Sequence, residues 1–174
     1  MLWRCEGCGM LTIGANPPKE CEVCKSRSNK IIKVEQLEDV KGTETEKNLK
    51  TAFAGESQAN RRYVLFSQMA RLEGNPFAEN LFLKFSYEET WHALSHLLYL
   101  LGGTRTAEEN IIESIKGETY EADKMYREFA DKAKEEGFDY IARFFDSLSQ
   151  IERIHADMFK ELLTEMRKSA AAED

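Results

Sequence analysis

Glu89-Thr90-Trp91-His92 and Glu152-Arg153-Ile154-His155 are two copies of one pattern, E-x-x-H, in a chain of 174 residues. Each follows a lone glutamate in a Gly-Glu-Ser/Thr setting. Glu56 of Gly55-Glu56-Ser57 lies 33 residues before Glu89, and Glu118 of Gly117-Glu118-Thr119 lies 34 residues before Glu152. Glu and His at i and i+3 share one face of a helix. Two such pairs plus two single carboxylates, all facing inward, are the ligand set of a dinuclear iron or manganese carboxylate site in a four-helix bundle.

Working outward, the two halves form an internal repeat. At an offset of 63 residues Tyr63 meets Tyr126, Phe66 meets Phe129, Gly74 meets Gly137, Ser86 meets Ser149, and His92 meets His155. This register predicts two helical hairpins related by a pseudo-two-fold axis. The capping-box spacing of Thr43 and Glu46 starts a first helix at about 44, and Gly74-Asn75-Pro76 breaks it. A second helix runs to Leu101 and stops at Gly102-Gly103. Thr106 and Glu109 open a third, ending near Gly137, and a fourth covers about 138–168. The expected organisation is a Cys module at 1–34, a linker at 35–43, a mainly α four-helix bundle at 44–168, and a frayed tail at 169–174.

The bulk properties narrow the function classes. A net charge of −7 argues against a nucleic-acid groove. Leu97–Leu101 is the longest strongly apolar stretch, far too short to span a bilayer. No secretory signal follows Met1-Leu2-Trp3-Arg4, and all four Cys fall in one cluster, so a cytoplasmic location is expected.

Solvated helix surface is the ordinary place for a glutamate, but here the neighbours oppose it. Glu89 and His92 sit among Leu81, Phe82, Phe85 and Leu97 at helical spacing, and Glu152 and His155 among Phe144, Phe145, Leu148, Ile151 and Phe159. An unpaired carboxylate on such a face costs several kcal/mol, on the order of 2–7 for a polar group, and is tolerable only around cations. Glu121, three residues after Glu118, has Ala59 as its counterpart, so one side carries an extra carboxylate. Tyr63 and Tyr126 follow Glu56 and Glu118 along the same faces, and each hydroxyl is expected to bond a ligand carboxylate. His96 could form H-x-x-x-H with His92, but its counterpart is Phe159, and it is read as a non-ligand. Cys5-x-x-Cys8 and Cys21-x-x-Cys24, separated by twelve residues, form a tetrahedral four-thiolate site. Zinc and iron both accept that geometry; zinc would make a structural knob, iron a one-electron carrier.

These motifs resemble a known family. Trp3-Arg4-Cys5-x-x-Cys8-Gly9 with Cys21-x-x-Cys24 is similar to the rubredoxin module. Ala52-Phe53-Ala54-Gly55-Glu56-Ser57-Gln58-Ala59, Tyr63, Gly117-Glu118-Thr119-Tyr120-Glu121, Met125–Ala130 and the two E-x-x-H pairs resemble the ferritin-like bundle of rubrerythrin. The module stands first here, as in the reversed-order type. The resemblance implies a non-haem di-iron peroxidase that reduces hydrogen peroxide to water, with a ferroxidase or iron-handling ferritin-like protein as the alternative. It implies one iron in the Cys₄ site and two in the bundle, held by Glu56, Glu89, His92, Glu118, Glu121, Glu152 and His155. Glu121 is then the movable ligand, exchanging with His92, and a reductase fed by NAD(P)H supplies electrons. The second knuckle departs from the family pattern, with Lys25 where a Gly is usual, and fewer backbone N–H bonds to sulfur are expected there.

Two geometric expectations follow. Glu56 and Glu118 repeat at 62 residues while everything after them repeats at 63, so one residue is added before Tyr126 and a π-bulge is expected near Glu121. The second and third helices of a ferritin-like bundle run parallel, so their connection must cross roughly 32 Å, whereas residues 102–106 reach about 18 Å. A helix-exchanged homodimer is expected, pairing Glu56, Glu89 and His92 of one chain with Glu118, Glu121, Glu152 and His155 of the other.

Overall fold

The computed structural model describes residues 1–173, so residue 174 of the expected tail lies outside it. Residues Met1–Thr104 form one compact unit, and the residues from Arg105 onward form a second.

The first unit starts with a small antiparallel sheet in the order β2-β1-β3: β1 (Leu2–Cys5), β2 (Leu11–Ile13) and β3 (Ile31–Val34). Two helices follow, α1 (Glu44–Leu72) and α2 (Pro76–Leu101), packed as an antiparallel hairpin. The Thr43 side chain accepts from the Glu46 N–H, and Glu46 Oε2 accepts from the Gly42 N–H, so the expected cap is present. The sheet is seated on the C-terminal half of α2. Leu11 N–H donates to Ser95 Oγ at 2.9 Å, and Tyr99 Oη donates to the Gly9 carbonyl at 2.6 Å. Leu2, Leu11 and Leu37 form a buried cluster against Val34, Leu98 and Tyr99, so the linker contributes Leu37 to the core.

The second unit is a hairpin of a long helical run with α5 (Asp139–Glu173). The run comprises α3 (Ala107–Tyr120), a π-helical turn (Glu121–Met125) and α4 (Tyr126–Glu135). Thr106 and Glu109 make the full capping box. The π-turn lies where the change of register places it. Helix α5 continues past 168, through the segment expected to fray.

The repeat is visible in the geometry of each unit. Gly74 and Gly137 both end a helix in the left-handed region, at φ 71° and 82°. Tyr63–Phe82 and Tyr126–Phe145 ring centroids are each 6.0 Å apart, and Phe66–Phe82 and Phe129–Phe145 are 5.5 and 5.6 Å apart. The same aromatic stack is thus built twice.

Candidate metal centres

The four cysteines stand on two knuckles, one after β1 and one before β3. Their sulfurs all lie within 4.8 Å of one another, with Cys5–Cys24 and Cys8–Cys21 both at 3.6 Å. A tetrahedron with metal–sulfur bonds of about 2.3 Å has edges of about 3.8 Å, so the cluster is already near its ligating geometry. Gly7 is required by close approach: a Cβ there would sit 2.7 Å from Ser26 Oγ and 3.4 Å from Cys24 Sγ.

At the second knuckle the backbone N–H groups of Cys24 and Val23 act on the Cys21 sulfur and that of Ser26 on the Cys24 sulfur. Lys25 keeps this loop by adopting a left-handed φ of 57°, the conformation a Gly would take without strain. The Ser26 hydroxyl, 3.1 Å from Cys24 Sγ, and its N–H lower the Cys24 pKa to about 6. Burial pushes the Cys21 thiol up.

The carboxylates and histidines gather as two triads, one in each unit. Glu56, Glu89 and His92 form the first; Glu118, Glu152 and His155 form the second, with ligand atoms within 4.8 Å inside each triad. The i, i+3 spacing puts His92 Nδ1 2.7 Å from Glu89 Oε2, and His155 Nδ1 2.7 Å from Glu152 Oε2. His155 Nδ1 also lies 3.4 Å from Glu118 Oε2. Burial and then the facing carboxylate raise the pKa of Glu56, with Glu89 opposite, and of Glu118, with Glu152 opposite. Glu118 Oε2 is buried without a hydrogen-bond partner among the described residues, the 3.4 Å approach of His155 Nδ1 being an ion-pair contact only. Two carboxylates facing each other with one imidazole lack positive charge, and a divalent cation supplies it. The donor sets therefore fit metals: hard oxygen and imidazole in the triads, soft thiolate in the Cys cluster.

Glu121 stands outside the second triad among the described residues. It is half-buried beside Tyr126, whose phenol is pushed up by burial and then by the charges of Glu121, Glu152 and Glu118. Neither the Tyr63 nor the Tyr126 hydroxyl hydrogen-bonds a triad carboxylate among the described residues; both rings pack in their aromatic stacks instead. His96 lines a cavity of about 280 Å³ with Cys8, Met10, Leu49, His92 and Tyr99. Burial and then the charge of His92 depress its pKa.

The sequence reading did not single out Trp91, Ser95 and Tyr99, which seat the Cys module on α2. Trp91 packs against the buried cluster of Cys5, Met10, Cys21 and Ile31, and it precedes His92 in the chain. The signal was present in the repeat. The counterparts of these residues are Ile154, Met158 and Leu162, so only the half that follows the Cys module carries polar or aromatic residues at these positions.

A hairpin-built helical body with paired Glu/Glu/His triads and a Cys₄ knuckle pair defines a class: non-haem metalloproteins of ferritin-like fold fused to a rubredoxin-like centre. Residues 47–163 match the family model described as Rubrerythrin. The chain belongs to the rubrerythrin family. It is 34% identical to a rubrerythrin of Nitratidesulfovibrio vulgaris over 144 residues, 76% of this chain and 75% of that one. A rubrerythrin of Porphyromonas gingivalis is 33% identical over 153 residues, 81% and 76% of the two chains. Reverse rubrerythrin-1 of Clostridium acetobutylicum is 26% identical over 178 residues, spanning 92% of this chain and 96% of its own length. Family membership makes the chain an iron-binding oxidoreductase. Among the described residues no helix is long and apolar enough to cross a membrane.

Proposed function

We propose that the chain is a peroxide reductase, converting hydrogen peroxide, two electrons and two protons into two waters. The observation that carries this reading is the pairing of chemistries on one helix: α2 bears Glu89 and His92 of the first triad and, at Trp91, the seat of the four-cysteine centre. A storage or ferroxidase site does not need an electron inlet at that place.

In this reading Cys5, Cys8, Cys21 and Cys24 hold one iron, and Glu56, Glu89, His92, Glu118, Glu121, Glu152 and His155 hold two. A ferrous pair, when bound, supplies one electron from each ion and Lewis acidity toward both peroxide oxygens. The protein's own groups do the rest. The facing carboxylates hold the charge of the pair, and Glu121, outside the triad, is the carboxylate free to approach or withdraw. Tyr126 and Tyr63 are assigned as the proton-holding groups beside the carboxylates; a phenol is protonated at neutral pH, and burial and then the neighbouring carboxylates push that of Tyr126 further up. Trp91, packed on the Cys cluster and joined to His92 by one peptide bond, supports electron entry within the same chain.

Each triad is half of a dinuclear ligand set, and we assign the complementary half to a second copy of the chain by helix exchange. Exposed apolar side chains on both hairpins support this, among them Leu65, Met69 and Leu81 on the first and Phe144, Ile151 and Met158 on the second. The domain reading then stands as a Cys₄ iron module at 1–34, a linker at 35–43 and a bundle at 44–168 completed by the partner. Electrons come from a reductase or carrier fed by NAD(P)H, in the cytoplasm.

Metal analysis with visible spectroscopy tests the reading. Three irons per chain are expected, with a ferric-thiolate colour that a reductant bleaches and stoichiometric peroxide restores. Zinc in the Cys site, or colour that returns only with dioxygen, overturns it.

A further inference from the structure

The π-turn at Glu121–Met125 leaves a backbone account to settle. In an α-helix the Tyr126 N–H would bond the Ala122 carbonyl. Here it bonds the Glu121 carbonyl, five residues back. The Ala122 carbonyl instead accepts the Ser149 hydroxyl, which reaches across from α5 at 2.7 Å in a buried contact. One turn further along α5, Arg153 forms an ion pair with Asp123, the next residue of the turn. Two consecutive residues of the bulge are thus tied to two consecutive turns of the facing helix.

The repeat shows that this arrangement belongs to the bulge. At the offset of 63 that holds beyond the added residue, the counterparts of Ala122, Asp123, Ser149 and Arg153 are Ala59, Asn60, Ser86 and Thr90. In the first unit, which has no π-turn, Ser86 Oγ donates to Leu83 O of its own helix at 2.8 Å. The Asn60 amide makes the cross-helix contacts there, to Ser86 O at 2.5 Å and Thr90 Oγ1 at 2.8 Å. The same serine position therefore bonds within its helix in one half and across to the bulge in the other. It crosses over only in the half that carries the extra carboxylate, Glu121.

We infer that Ser149 is a positioning residue for Glu121. Its hydroxyl occupies the carbonyl that the bulge frees and so holds the π-turn at whose first residue Glu121 stands. Without it the helix has a competing solution, in which the surplus residue slides toward an end and Ala122 O recovers its i+4 partner. If the surplus slides toward the start of α3, the residues up to Glu121 turn by about 100°, one residue of a 3.6-residue turn, which carries Glu121 together with Glu118 away from Glu152 on α5. The Asp123–Arg153 pair is partly solvent-exposed and is the weaker of the two ties.

This inference rests on the reading of Glu121 as a metal ligand, and the experiment separates the two. Metal-free protein is titrated with cobalt(II), followed by the visible bands of the carboxylate site apart from those of the thiolate site. Wild type, Ser149→Ala, Ser149→Thr, Glu121→Ala and the Ser149→Ala/Glu121→Ala double variant are compared. Removing an outer partner of a metal ligand commonly weakens metal affinity about 10–100-fold. Ser149→Ala is expected to weaken the carboxylate site within that range, and Ser149→Thr, which keeps the hydroxyl, to bind like wild type. The double variant is expected to bind no more weakly than Glu121→Ala alone, because the two residues act as one unit. In the metal-free protein, amide hydrogen exchange at 122–126 is expected to speed up in Ser149→Ala and not in Ser149→Thr. Wild-type affinity in Ser149→Ala with a weakened Glu121→Ala overturns the positioning role alone, as does an additive loss in the double variant. Wild-type affinity in Glu121→Ala overturns the ligand reading and the inference with it.

Discussion

Lengthening the connection between α2 and α3 should convert the proposed exchanged dimer into a closed monomer. Helix α2 ends at Leu101 and α3 begins at Ala107, leaving five connecting residues. His92 lies nine residues before the end of α2, on the order of 14 Å at 1.5 Å per residue. Glu118 lies eleven residues into α3, on the order of 16 Å. For one chain to align both triads in a bundle with α2 and α3 parallel, the connection must cover about 30 Å along the axis. Six Cα steps across five residues span at most about 20 Å. Inserting about twelve Gly/Ser residues after Gly103 raises the maximum reach to about 60 Å and gives a relaxed end-to-end distance of about 23 Å. The effective concentration of the tethered hairpin is then on the order of millimolar, well above micromolar protein. Light scattering coupled to size exclusion, with iron per chain measured on each peak, is the assay. The wild type is expected as a fully loaded dimer at micromolar concentration, and the insertion variant as a fully loaded monomer. A wild-type monomer with both triads loaded would refute the span argument. A variant that stays dimeric on dilution to micromolar would show that the connection is not what enforces exchange.

Lys25→Gly removes a left-handed side chain and should stabilise the Cys module by about 0.5–1 kcal/mol, net of the added freedom of the unfolded chain. The lost Lys25–Glu22 ion pair, 3.5 Å apart and solvent-exposed, contributes little against this; denaturant unfolding of the loaded protein, with an unchanged or lower midpoint counting against the strain argument, is the check. Cys24, with its pKa lowered to about 6, should be the first of the four cysteines alkylated by iodoacetamide in metal-free protein at neutral pH. Mass mapping that finds Cys21 modified first would contradict it. Glu56 and Glu118 bind their protons more tightly folded than unfolded, because burial and the facing carboxylate raise both pKa values. In the window from the ordinary carboxylate value up through the raised ones the folded state holds more protons, so these groups' contribution to metal-free stability falls as pH rises. The stability difference between wild type and a Glu56→Gln/Glu118→Gln variant should therefore shift against the wild type with rising pH, and a pH-independent difference would exclude the effect.

Much of this structure was legible because its signals are periodic. E-x-x-H at helical spacing fixes a face, C-x-x-C knuckles fix a donor geometry, and the 63-residue repeat couples the two halves. Even the π-turn was readable, since a change of register from 62 to 63 cannot be hidden in a continuous helix. Periodicity assigns a face but does not name what covers it, which is why the seat of the Cys module on Trp91, Ser95 and Tyr99 escaped notice. Backbone strain is also silent in a residue name: nothing in Lys25 announces a φ of 57°. The readable clue in each case was a broken symmetry. Positions where the repeat agrees, such as Tyr63 and Tyr126 or Phe82 and Phe145, build the common scaffold. Positions where it disagrees, Trp91 against Ile154, Ala59 against Glu121 by the offset of 62, and Thr90 against Arg153, mark where one half has taken on a task the other lacks. On the first half that task is to receive the Cys centre, and on the second it is to hold a bulge beside the extra carboxylate. The two triads are alike in composition, so the difference between the halves has to come from these surroundings, and under the proposed function it is there that substitutions should separate electron entry from ligand movement.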